Sequence, residues 1–216
     1  MSNSIRAVVF DMDGVLINSH PAHLAAWKFF LRSQGNDVSE NELAFILEGR
    51  TRNEILRHFF GDVPELELHG YGKQKDEIFR QMERRIEAIP GVIDFLQQLR
   101  RSKLAIAVAT SASEIRTLST IERMGLAEYF TAVITAADVS NGKPDPAVYR
   151  LACQRLNIPP ELALAFDDAP AGVQSARLAG IRCIGVSQNG LTNQLLAHGA
   201  EIVIPDFVGL TVDQLG

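Results

Sequence analysis

Residues 5–19 read IRAVVFDMDGVLINS. Ile5, Ala7, Val8, Val9 and Phe10 make a short apolar run with β-branched members, the pattern of a strand buried on both faces. The run stops at two carboxylates, Asp11 and Asp13, so a pair of acids stands where a strand ends. In open α/β sheets the ligand crevice lies outside the carboxyl ends of the strands, which makes this pair a candidate for chemistry. Gly14 then permits a tight turn, leaving both acids on a short loop held by a rigid strand.

Beyond Ser19 the character changes for about 70 residues. Leu24, Trp27 and Leu31, then Leu43, Ile46 and Leu47, then Ile55 and Phe59, and later Ile78, Met82 and Ile86 recur at helical spacing, with no clear β run. From Pro90 the alternation returns. A helix through Val92, Phe95, Leu96 and Leu99 precedes the strand LAIAVAT at 104–110 and a helix over about 112–124. Further strands are expected at 133–135, 162–166, 183–186 and 202–204, with helices over about 146–156 and 171–179. Strands alternating with helices predict an α/β fold: a Rossmann-like, doubly wound parallel sheet with an inserted all-helical cap. The expected division is residues 1–17 with 90–216 for the core and 18–89 for the insert.

With 216 residues, 46% of them hydrophobic, the chain can bury a sizeable core, and a net charge of −5 offers no basic surface for nucleic acid or an anionic membrane. Cys153 and Cys183 lack metal-ligand spacing, and the AVVF run is too short for a signal peptide. No apolar stretch approaches the roughly 18 to 20 residues that span a bilayer. The expectation is a cytosolic protein with reduced thiols, a monomer or weak dimer, with neither nucleic acid nor membrane as partner.

Three later strands end in groups of one chemical theme. Thr110 and Ser111 close the second strand, hydroxyls suited to a phosphate oxygen. Lys143 follows the third, between Gly142 and Pro144 in GKPDP, before a helix starting near Pro146. Asp167 and Asp168 close the fourth, followed by Ala-Pro-Ala-Gly and a helix. Four carboxylates on one edge repel each other unless a cation sits among them, and hard oxygen donors with room for water suit Mg²⁺ better than zinc. Positioning plus charge stabilisation of that kind is what phosphoryl transfer needs. Singly, each group has a plainer reading: the acids as turn or helix caps, the hydroxyls as N-caps, the lysine as a solvated charge. Capping preferences alone do not explain the order, in which carboxylates, hydroxyl, lysine and carboxylates follow successive buried strands.

These motifs resemble those of the haloacid-dehalogenase-like superfamily over nearly the whole chain. DMDGVLINS is similar to the first motif, Thr110 to the second, Lys143 in GKPDP to the third, and Asp167-Asp168 in FDDAPAG to the fourth. The resemblance implies Asp11 as the nucleophile toward phosphorus, and Asp13 as general acid to the leaving group and then general base to water. It implies Mg²⁺ held by the Asp11 carboxylate, the Asp13 main-chain carbonyl and Asp168, with Asp167 binding directly or through water. Thr110 and Lys143, with Ser111 beside them, would hold phosphoryl oxygens. Asp13 argues against the dehalogenases that named the superfamily, which look different at this position.

The helical insert resembles the cap of the subgroup containing phosphoglycolate phosphatases and β-phosphoglucomutase. His23, followed by Ala26 and Trp27, is similar to a histidine and tryptophan of the mutase cap, and Gly49, Arg52 and Lys75 fall where that cap offers substrate-binding groups. Departures are Glu48 in place of a lysine, Ala112 and Glu114 in place of a serine and an asparagine, and Asn18 in place of a frequent aspartate. A mutase must hold a bisphosphorylated intermediate, so Glu48 tilts the reading toward hydrolysis. His23 also reads as an ordinary partly buried helix residue, and Trp27 as core. His20 and His23 have metal spacing but no third ligand, and Glu83-Arg84-Arg85 reads as a solvated face. Arg52 is the strongest cap candidate, since a guanidinium grips a carboxylate or phosphate bidentately. The resulting expectation is a Mg²⁺-dependent phosphatase for a small phosphorylated metabolite, sugar phosphates among them, working through an aspartyl-phosphate. The competing readings are a β-phosphoglucomutase-type mutase and a non-catalytic phosphometabolite-binding protein.

Overall fold

The structure is a computed structural model and describes residues 5–39, 42–43, 46, 52–83, 86–188 and 190–215. In chain order, β1 (Ala7–Phe10) leads to helices α1 (His20–Ser33), α2 (Arg52–Phe60) and α3 (Glu65–Met82). There follow α4 (Val92–Arg101), β2 (Ala105–Ala109), α5 (Glu114–Arg123), β3 (Ala132–Ile134) and α6 (Ala147–Leu156). The chain continues through β4 (Ala163–Asp167), α7 (Pro170–Leu178), β5 (Arg182–Val186), α8 (Thr192–His198) and β6 (Val203–Ile204). It forms two compact units, Met1–Ile17 with Ala88–Gly216, and Asn18–Glu87.

In the first unit all the strand pairs are parallel, in the order β3-β2-β1-β4-β5-β6. A parallel sheet needs both faces covered, and the unbroken apolar run of β1 meets that need by alternation. Ala7 and Val9, with Ala107, Ala109, Ala163 and Ala165, pack under Val148, Tyr149 and Ala152 of α6 and Val173 and Ala176 of α7. Small side chains on that face let the helices lie close. Phe10 faces the other way and stacks on Phe166 of β4 at 5.2 Å, with Phe95 of α4 at 6.3 Å and Phe207 at 6.0 Å. Helices on both faces make this a doubly wound, Rossmann-like α/β unit.

β1 lies between β2 and β4. From β1 the order runs outward to β2 and β3, then restarts at β4 on the other side. In this topology ligands bind where the direction reverses, outside the carboxyl ends of the central strands. Asp11 and Asp167 stand there. β4 runs one residue further than the sequence pattern indicates, through Asp167, whose register partner is Gly185 of β5. The chain re-enters this unit two residues before Pro90, because Ala88 bridges Ile17 and the Ile89 N–H donates to the Leu16 carbonyl at 3.0 Å. α8 has no counterpart in the sequence reading: it is seven residues long and buries only Leu195, too little for a periodic signal.

In the second unit, Trp27, Phe30 and Leu31 of α1 share a core with Leu43, Ile46, Ile55 and Leu56 and with Leu68 of α3. Trp27 is core, as its spacing indicates. α3 extends 18 residues, with Gly70 and Gly72 inside it. The sequence pattern marks only its second half, because two glycines and alternating glutamates obscure the first. Leu47, Arg84 and Arg85 lie outside the described residues. Among the described residues no helix is long and apolar enough to cross a membrane.

Candidate active site

The site in the first unit is built from strand ends. Asp11 follows β1 directly, and its N–H donates to the Phe166 carbonyl at 2.9 Å, so the ladder with β4 fixes its backbone. Its carboxylate is buried, at 6% exposure. Lys143 Nζ donates to Asp11 Oδ1 at 2.6 Å and to Asp167 Oδ2 at 2.7 Å, bridging the ends of β1 and β4. The Tyr149 hydroxyl, from α6, donates to the same Asp167 oxygen at 2.6 Å, and the Ala169 N–H donates to Asp167 Oδ1 at 3.0 Å. Gly172 in α7 makes the room: a Cβ there would lie 2.0 Å from either Asp167 oxygen. Asp167 therefore works inside the protein, holding the lysine. Asp168, also buried, is the neighbouring acid.

Burial pushes the Asp11 carboxyl well above its ordinary range; Lys143 opposes this, while Asp167, Asp168 and Asp13 add to it. Burial alone would lower the Lys143 ammonium, but its two carboxylate partners outweigh that and hold it above its usual value. Several acids thus gather around one buried carboxylate, and that cluster of like charge, with its all-oxygen donor set, fits a hard divalent cation that keeps part of its water. Among the described residues no three His, Cys, Asp or Glu side chains converge closely enough to hold a metal. The set implied by the motifs needs only two such side chains, Asp11 and Asp168, plus the Asp13 carbonyl.

Asp13 lies on the turn after β1, where Gly14, at φ 73°, lets its N–H close on the Ile17 carbonyl at 2.8 Å. Arg116, in the first turn of α5, forks the Asp13 carboxylate: Nη1 donates to Oδ2 at 2.9 Å and Nη2 to Oδ1. Thr110 is buried at the end of β2. Its Oγ1 accepts from the Ala112 N–H at 3.1 Å in a local turn and leaves the hydroxyl proton to give; α5 starts only at Glu114, with Ser113 as its N-cap, so Thr110 does not cap it. Ser111 is next to it and exposed. A family model described as haloacid dehalogenase-like hydrolase matches residues 8–186.

The chain belongs to the haloacid dehalogenase-like hydrolase family.

A relative of this haloacid dehalogenase-like hydrolase, the phosphorylated carbohydrates phosphatase of Thermotoga maritima, is 30% identical over 192 residues, 83% of this chain and 84% of that one. β-Phosphoglucomutase of Bacillus subtilis is 26% identical over 223 residues, covering 98% and 94%. The crystal structure of a family IA, variant 3 hydrolase from Entamoeba histolytica superposes with a TM-score of 0.89 at 27% identity, over 98% of this chain and 97% of that one.

The second unit of this haloacid dehalogenase-like hydrolase holds the other candidates. His23 of α1 stacks on Phe79 of α3 at 4.1 Å, and its Nδ1 lies 3.2 Å from Lys75 Nζ. Lys75 is buried, its ammonium 4.8 Å from the Phe79 ring centroid and 5.3 Å from that of Trp27. Arg52 opens α2, and its Nη1 pairs with Asp76 Oδ2 at 2.6 Å. Gly49 and Glu48 lie outside the described residues. Tyr149, Gly172 and Arg116 carry no signal in the sequence alone. Tyr149 reads as one more apolar helix position, Gly172 stands unmarked within FDDAPAG, and Arg116 reads as a charged residue on an exposed helix.

Proposed function

We propose that the protein is a Mg²⁺-dependent phosphatase that hydrolyses a small phosphorylated carbohydrate through an aspartyl-phosphate. The observation that carries this reading is the Lys143 ammonium held between Asp11 and Asp167 at the reversal of the sheet. It sets a cation that can neutralise phosphoryl oxygens beside a carboxylate that can attack phosphorus. The Thermotoga maritima relative supports the carbohydrate class.

An Asp11 oxygen bonds to phosphorus as the bond to the leaving oxygen breaks, and Asp13 gives that oxygen its proton. Asp13 then takes a proton from the water that attacks the aspartyl-phosphate, releasing phosphate and restoring Asp11. Thr110 and Lys143 hold phosphoryl oxygens, Ser111 lies at the rim, and Asp167 with Tyr149 fixes the lysine. Mg²⁺, held by the Asp11 carboxylate, the Asp13 carbonyl and Asp168, with Asp167 behind them, would supply the charge that lets two anions approach. The inserted unit, Asn18–Glu87, acts as the cap and selects the substrate through His23, Gly49, Arg52 and Lys75.

The test is phosphate release from a panel of phosphorylated sugars and polyols, with Mg²⁺ or with EDTA, for wild type and Asp11→Asn. Release that needs both the metal and Asp11 supports the reading. Conversion of β-glucose 1-phosphate to the 6-phosphate, with no net release, would replace it with a mutase.

A further inference from the structure

α3 carries two glycines in its interior, Gly70 and Gly72. Among the described residues nothing lies within 4 Å of where a Cβ on Gly70 would stand, whereas a Cβ on Gly72 would stand 2.7 Å from Arg52 Cζ, 2.7 Å from Nε and 3.1 Å from Nη1. Atoms of one guanidinium at such nearly equal distances mean that its face, not its edge, lies on the helix. One helical turn further along the same side of α3, Asp76 Oδ2 accepts from Arg52 Nη1 at 2.6 Å. The other Asp76 oxygen stands 3.8 Å from the buried Lys75 Nζ, so this carboxylate lies between the two cations. Gly72 thus fixes the plane of the Arg52 fork, and Asp76 fixes its direction.

Stability does not account for this arrangement. The Arg52 and Asp76 side chains are 41% and 48% exposed, and an exposed ion pair returns little, while a glycine inside a helix costs at least as much. Position does account for it, because a guanidinium grips a ligand through parallel hydrogen bonds whose geometry depends on the plane of the fork. We infer that Gly72 is a positioning residue for substrate selection: the gap it leaves on α3 seats the Arg52 guanidinium in the pose that meets the phosphorylated carbohydrate. The assignment rests on the reading of Arg52 as a substrate-selecting residue of the phosphatase.

The experiment sets Gly72→Ala and Gly70→Ala beside Arg52→Ala and the combined Gly72→Ala, Arg52→Ala variant. The substrates are β-glucose 1-phosphate, glucose 6-phosphate, fructose 1-phosphate and glucitol 6-phosphate, with p-nitrophenyl phosphate as an ester that carries no sugar. A Cβ at Gly72 displaces only the end of a flexible, half-exposed side chain, so Gly72→Ala, like Gly70→Ala, is expected to keep or raise the urea midpoint of wild type. On the best of the sugar phosphates Gly72→Ala is expected to raise KM about tenfold, the scale of one charge-assisted hydrogen bond, with kcat unchanged and p-nitrophenyl phosphate hydrolysed as by wild type. Gly70→Ala should match wild type on every substrate, and adding Gly72→Ala to Arg52→Ala should raise KM no further. A wild-type KM in Gly72→Ala, or a rise that Gly70→Ala shares or that persists in the Arg52→Ala background, overturns the assignment. If Arg52→Ala raises KM and Gly72→Ala does not, Arg52 remains the selector and only Gly72 loses its role. If Arg52→Ala leaves KM unchanged, the selector reading and the Gly72 assignment fall together. If wild type hydrolyses none of the sugar phosphates, the carbohydrate phosphatase reading falls and takes both with it.

Discussion

Gly172→Ala sets two effects of opposite sign against each other. The residue is inside α7, where helix propensity alone would make alanine more stable by about 0.5 to 1 kcal/mol. A Cβ at this position, however, would lie 2.0 Å from both Asp167 oxygens and 2.1 Å from Cγ, whereas real Cβ contacts stay beyond 3.0 Å. The carboxylate must therefore retreat by about 1 Å. It has little freedom to do so, being 1% exposed and held by Tyr149, Lys143 and the Ala169 N–H at 2.6, 2.7 and 3.0 Å. Such a shift breaks at least one of these bonds, and a buried charged group left short of a partner costs about 1 to 3 kcal/mol, with overpacking strain of similar size on top. The net expectation is a loss of about 2 kcal/mol, seen as a lower urea midpoint by circular dichroism at unchanged slope. Phosphate release should fall by up to about 100-fold, a loss that a 1 Å misplacement can cause. An alanine variant with an equal or higher midpoint and full activity would refute the reasoning, because propensity would then have won and Asp167 would not be fixed as described.

Removing only the phenol, in Tyr149→Phe, takes one donor from Asp167 and leaves Lys143 and Ala169 in place. Stability should fall by about 1.5 to 3 kcal/mol, the worth of a hydrogen bond to a charged group, with KM changed less than kcat; an unchanged unfolding midpoint would count against it. Asp13→Asn should lower kcat by about 10² to 10⁴ for alkyl phosphates and by less for p-nitrophenyl phosphate, whose leaving group needs no proton. Equal losses for both substrates would remove Asp13 from the role of acid. The thiols offer a check that is independent of function. Burial, helped by Glu161, pushes Cys153 up to about 11, and both cysteines are inaccessible. Neither should react with a disulfide reagent at pH 8 within minutes, and both should react in denaturant; rapid labelling of the folded protein would contradict that packing.

Much of the first unit is legible in sequence because its signals are local and repeated. An apolar run with β-branched residues must be a strand covered on both faces, and six strands in parallel leave one edge for ligands. Asp11 and Thr110 are legible because each directly follows such a run, Asp167 because it ends one, and Lys143 because GKPDP marks the loop between a strand and the next helix. What stayed hidden depends on contacts between distant segments. Tyr149 reaches Asp167 across 18 positions, and Arg116 reaches Asp13 across 103. No spacing rule encodes either pair. α8 is illegible for another reason: a seven-residue helix with one buried side chain has no periodicity to read. Thr110 shows that a turn contact and a ligand role are compatible, since its Oγ1 accepts the Ala112 N–H and keeps a proton to give, while the helix cap read for it in sequence falls to Ser113.

The central claim is that Asp11 carries the phosphoryl group. Its most direct test is acid quenching of the enzyme during turnover of a substrate with a radiolabelled phosphoryl group, followed by peptide mapping. The account expects hydroxylamine-labile label on the peptide containing Asp11, Mg²⁺-dependent and absent from Asp11→Asn. Phosphate release at the wild-type rate with no labelled peptide, or with label retained in Asp11→Asn, would contradict it.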